Sequence, residues 1–163
     1  MILDFTSSTS ILYIILIIIV SLIGSYFVDK EYYKKIRENT PFWTPPPIVF
    51  GIVWFIIYLL FFFVFTINHE NTILIFATLF FNIIWTFVFF NLKNKFLSFV
   101  IILIMLALSI YTYVCLTKEL EKAKTNDLEN VWYIELIMVL FLIYPLWLVV
   151  ATGLTICSMF LYH

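Results

Sequence analysis

The sequence predicts an all-α membrane protein, a five-transmembrane-helix bundle forming a single domain over residues 1–163. Hydrophobic residues make up 64% of the chain and charged residues only 12%, far outside the range of a soluble domain. Five apolar stretches are each long enough to cross a hydrocarbon core of about 30 Å, and the charges gather in short runs between them.

The first stretch, 11–28, is nearly all Ile, Leu and Val, with Gly24 and Ser25 near its end. No Lys or Arg precedes Lys30, so the basic region of a secretory signal is missing and the first helix is expected to be retained. A polar hook, DKEYYKKIREN, then leads to Pro45, Pro46 and Pro47. Each proline lacks an amide donor and its ring clashes with the preceding turn, so the three must separate two segments. Pro47 suits a first helical position and opens the second helix, 47–67. Gly51, Trp54 and Tyr58 follow at spacings of three and four, which puts them on one face. Gly51 leaves a gap there, and the two aromatics wall it.

A short turn at 68–71 precedes the third helix, 72–92, and a second turn at 93–95 precedes the fourth, 96–116. The charged run 117–130 reads as a surface extension, with Glu119 and Lys122 at helical spacing. The fifth helix, 132–161, contains Pro145, which must kink it and free a carbonyl. Lys30, Lys34, Lys35, Arg37, Lys93 and Lys95 lie on one side, against Lys118, Lys122 and Lys124 on the other. That imbalance predicts a cytoplasmic first loop and C-terminus.

Several functions are excluded or disfavoured. There is no paired-carboxylate arrangement, Gly-rich phosphate loop or Cys/His set at metal spacing, so neither catalytic nor metal-ligating residues are expected. His69 stands in a turn and His163 ends the chain. Cys115 and Cys157 fall in apolar runs and read as free thiols. No ionisable residue lies within the first four segments, and Glu135 is near the mouth of the fifth, which argues against an ion-coupled pump. The expected surroundings are the bilayer, with no nucleic-acid partner.

Aromatic and weakly polar side chains remain. Asn82, Trp85 and Phe89 share a helical face, and an amide at that depth must bond either a neighbouring helix or a ligand. Trp43 and Trp132 fit an interfacial belt. Trp54, Trp85 and Trp147 lie seven to fifteen residues inside their segments and read as pocket walls, with plain packing as the alternative.

The run Pro41, Trp43, Pro45, Pro46, Gly51, Val53, Trp54, Tyr58 resembles the signature of the translocator protein family, also called tryptophan-rich sensory proteins or peripheral-type benzodiazepine receptors. Leu79, Asn82, Trp85, Phe89 and Phe90 match the family's third helix, and Tyr144, Trp147, Ala151 and Leu154 its fifth. Gly24, Ser25, Phe27 and Val28 resemble the end of its first. The resemblance implies a ligand site of Phe50, Gly51, Trp54, Tyr58, Asn82, Trp85, Phe89, Trp147, Ala151 and Leu154. It also implies a lid carrying Lys34, Lys35, Arg37, Trp43, Pro45 and Pro46.

The implied ligand is a porphyrin, protoporphyrin IX or haem, bound rather than held as an obligatory cofactor, and in some members a sterol. Its carboxylates are expected to reach Lys34, Lys35 or Arg37. Transport, sensing or a stress response, light-dependent porphyrin degradation and a homodimer are also implied. A ligand-free scaffold is the reading from a different class. Thr155, Ile83, Thr86 and Phe87 stand where the family has other residues, Pro145 is displaced, and no Lys or Arg follows Lys124 to complete a C-terminal sterol motif. The three glycines form no Gly-x-x-x-Gly, so a close right-handed dimer crossing has no support in the sequence.

Overall fold

The computed structural model describes residues 8–67, 72–126 and 131–161. The expected turn at 68–71 with its His69, residues 127–130 of the charged run, and His163 lie outside the described residues. The helices are α1 (Ser8–Tyr26), α2 (Lys30–Glu38), α3 (Pro47–Ile67), α4 (Thr72–Phe90), α5 (Lys95–Thr125), α6 (Val131–Phe141) and α7 (Ile143–Leu161). Four spans, with α6 and α7 counted together, are long and apolar enough to cross a membrane. Taken with α2, from which it is bent by 64°, α1 is the fifth. The all-α membrane bundle expected from composition is therefore what the chain forms.

The helices close into a ring in the order α1, α3, α6/α7, α5, α4 and back to α1. In lipid such a ring gains little from hiding apolar surface and is held by packing. Phe61, fully buried on α3, meets Tyr144 edge-on at 5.0 Å and Phe141 at 5.9 Å, joining α3 to both halves of the last span. Tyr13 of α1 stacks on Phe65 of α3 at 4.3 Å.

Helix ends follow from local chemistry. Pro46 accepts from the amides of Val49 and Phe50, so α3 starts where proline's missing donor costs nothing. Lys93 adopts φ 53°, and Asn94 caps α5 by accepting from Leu97 N at 2.9 Å. The polar hook is itself a helix, capped by Asp29, with Tyr32, Tyr33 and Ile36 turned inward. The fourth span runs beyond 116 to Thr125, and its 31 residues reach about 46 Å, longer than a hydrocarbon core. Its projecting end carries the Glu119–Lys122 pair at 2.9 Å and a Lys124–Glu135 bridge to α6 at 2.7 Å. The last span breaks at Leu142, three residues before Pro145, whose absent amide leaves the Phe141 carbonyl without its usual donor.

The α1–α2 elbow is fixed by the α4–α5 turn. Asn91 donates to the Phe27 carbonyl at 2.8 Å, and Lys93 approaches Asp29 at 3.9 Å. This holds α2 across the end of the bundle where α3 begins.

Candidate functional site

A groove of about 810 Å3 runs between α1 and α3, with α2 at its mouth. Phe50, Gly51, Trp54 and Tyr58 form its α3 wall. At Gly51 nothing lies within 4 Å of where a Cβ would stand. Trp54 and Tyr58 are neighbouring rings at 5.6 Å, tilted by 33°. The Tyr58 hydroxyl stands 3.4 Å from a Cβ placed on Gly24, so only a small residue on α1 allows the phenol this position.

The opposite wall belongs to α1 and was not anticipated from the sequence. Ile14, Ile17, Ile18, Ser21, Leu22 and Ser25 line it, with Lys30 and Tyr33 of α2 above. Ser21, Gly24 and Ser25, at helical spacing, were the available signal of a slim face. Leu22 (62% exposed) and Phe55 (69%) form the outer rims, so the groove opens sideways as well as toward α2.

Asn82, Trp85, Phe89, Trp147, Ala151 and Leu154 are buried and do not line the groove. Asn82 on α4 donates to the Tyr144 hydroxyl on α7 at 3.3 Å and to the Thr78 carbonyl at 3.1 Å. One turn nearer α2 on the same two helices stand Trp85, stacked on Phe89 at 5.3 Å, and Trp147. Phe50 meets Trp147 edge-on at 5.0 Å and Tyr33 at 5.3 Å. Phe50 is thus a partition, with the groove in front and Trp147 behind. Among the described residues, Asn82 Oδ1 and the Nε1 groups of Trp85 and Trp147 are buried without a hydrogen-bond partner. Each such group ordinarily costs about 1–3 kcal/mol, so three together call for a reason.

The lid residues divide. Lys34 and Arg37 line a separate cleft of about 290 Å3 with Thr40, Pro41, Phe42 and Thr44, and Pro47 is the wall it shares with the groove. Lys35 is exposed and lines neither. Pro45 accepts from the Tyr33 hydroxyl at 2.6 Å. Trp43 lies over Gly153 of α7, its Cη2 atom 3.3 Å from where a Cβ would be. Pro46 caps α3 as described. No group of three or more His, Cys, Asp or Glu suited to a metal occurs among the described residues, and Cys115 and Cys157 are free.

Together these features define a multi-pass integral membrane protein with an aromatic groove whose mouth lies beside the short helix α2. The chain belongs to the TspO/MBR family, whose family model matches residues 13–161, nearly its whole length. A search of curated proteins finds no match. At the level of that family it is a membrane protein associated with tetrapyrroles and sterols.

Proposed function

We propose that the α1–α3 groove binds a planar tetrapyrrole, protoporphyrin IX or haem, in a transport or sensing role, and that the α2 lid governs access to it. The observation that carries this reading is the open position at Gly51 between Phe50 and Trp54, in a groove of about 810 Å3. Such a volume suits a large organic ligand, and flat aromatic walls favour a flat one. Lys30 at the mouth is placed to pair with a ring carboxylate. A sterol fits the same apolar walls. The excess of basic residues near α2 supports a cytoplasmic lid.

A second reading is favoured by the three unpartnered polar atoms. Rotation of Phe50 would open the groove toward Trp147, Trp85 and Asn82, and a ligand there would satisfy them. Titration of the purified protein with protoporphyrin separates the two. If the ring rests in the groove, Trp54→Phe raises the midpoint of the quenching titration about threefold, since the smaller ring keeps part of the stacked contact, whereas Trp85→Phe leaves affinity unchanged. The reverse pattern places the ring behind Phe50, and no saturable quenching in any form removes the tetrapyrrole reading.

A further inference from the structure

The groove has one charged end. Resting on the reading of this groove as a ligand site, we propose that it also takes a single-chain membrane amphiphile with a terminal carboxylate, its head at Lys30 and its chain along α1.

Four polar groups of the walls are spent on the protein's own carbonyls, which leaves the Lys30 ammonium, the Tyr58 hydroxyl and the Trp54 indole N–H facing the groove. Ser21 donates to the Ile18 carbonyl and Ser25 to the Leu22 carbonyl, each at 2.9 Å. Thr86 donates to the Asn82 carbonyl at 2.9 Å and Tyr33 to that of Pro45. The Lys30 ammonium is the one charged group in the lining and has no ion pair among the described residues. A ligand that answers this one charge therefore carries a negative charge at one end, and needs at most one or two further polar atoms to meet the neutral Trp54 and Tyr58 groups deeper in the groove.

The shape agrees. Ile14, Ile18 and Leu22 succeed one another at intervals of four, a branched aliphatic stripe of about 12 Å leading toward α2. An alkyl chain can lie along this stripe with the aromatic wall of α3 behind it. The exposed rims at Leu22 and Phe55 leave the side of the groove open to the bilayer, so such a ligand arrives without leaving the membrane. A ring bearing two carboxylates meets only one cation here, because Lys34 and Arg37 face the other cleft. The competing occupant is an uncharged acyl chain of the surrounding lipid, which the same walls would accept without reading charge.

The test uses the full chain in nanodiscs of neutral phosphatidylcholine, titrated with cis-parinaric acid and with its methyl ester, read by energy transfer from tryptophan. The acid should bind saturably and about tenfold more tightly than the ester, as expected for one charge-assisted pair. Lys30→Gln should bring the acid down to the ester's affinity and leave the ester unchanged. Gly51→Leu, which narrows the groove beside Trp54, should weaken both. Equal binding of acid and ester, binding of the acid unaffected by Lys30→Gln, or no saturable transfer overturns the inference. Protoporphyrin titrated into the same nanodiscs keeps the two readings apart. Binding of the acid but not the porphyrin removes only the tetrapyrrole reading, and the converse removes only this one.

Discussion

Replacing Gly51 by leucine is expected to lower protoporphyrin affinity at least about a hundredfold while leaving the folded bundle intact, a pairing of effects that few other positions allow. A Cβ at this position meets nothing within 4 Å, so the side chain starts out into open groove and not into a packed neighbour. Leucine also favours a helix over glycine by about 0.8 kcal/mol, which offsets any loss from the slimmer groove. A bulky chain beside Trp54, however, occupies the space a flat ring would need. Quenching titrations measure the first effect and thermal melting in detergent the second. Gly51→Ala, a single methyl, should fall between the two in binding. Unchanged affinity in Gly51→Leu would put the ligand elsewhere, and a large fall in melting temperature would show that the position is not open.

Gly153→Leu should release the lid. Trp43 reaches over α7 so closely that even a Cβ at Gly153 sits 3.3 Å from the indole, and the rest of a leucine must collide with it. The ring cannot yield without moving its loop, because the Thr44 amide is bonded to the Pro41 carbonyl and the Thr40 and Thr44 hydroxyls are paired, both at 2.9 Å. Overpacking of this kind costs about 1–3 kcal/mol, and here the cheapest relief is undocking of the indole. A loss near 1.4 kcal/mol raises the undocked population about tenfold. Trypsin, which finds Lys34, Lys35 and Arg37 on this segment, should cut the variant about tenfold faster, and bound porphyrin should dissociate faster. Trp43→Phe should change both rates less, since the smaller ring keeps part of the contact. Unaltered cleavage in Gly153→Leu would mean that the Trp43 contact with α7 does not hold the α2–α3 loop in place.

These positions also show what a sequence of this kind discloses. Helix starts were legible wherever backbone chemistry forces them, as at Pro47 with its missing donor, and the break near Pro145 followed from the same rule. The α2 helix was legible too in its Asp29 cap and its inward Tyr32, Tyr33 and Ile36, but its charges made it read as a polar hook. Depth could be read from position, and Trp54, Trp85 and Trp147 do lie inside the bundle's length. Direction could not. A helix such as α3 is apolar all round, so no polar face marks which side meets lipid, a neighbour or a groove. Trp54 reaches the groove, while Trp147 packs behind Phe50 and Trp85 against Phe89 and Phe90, and only the packing of the helices decides between those places. The α1 wall was hidden for a further reason. Its Ile and Leu residues serve equally as lipid-facing surface, and only Ser21, Gly24 and Ser25 set its inner face apart.

The most direct test is a structure of the protoporphyrin complex. A ring in van der Waals contact with Trp54 and Gly51, one carboxylate near Lys30, and Trp85 and Trp147 as buried as they are here is the expected result. A ring seated between Trp85 and Trp147, with their indole N–H groups bonded to it and the α1–α3 groove holding only lipid, would contradict it.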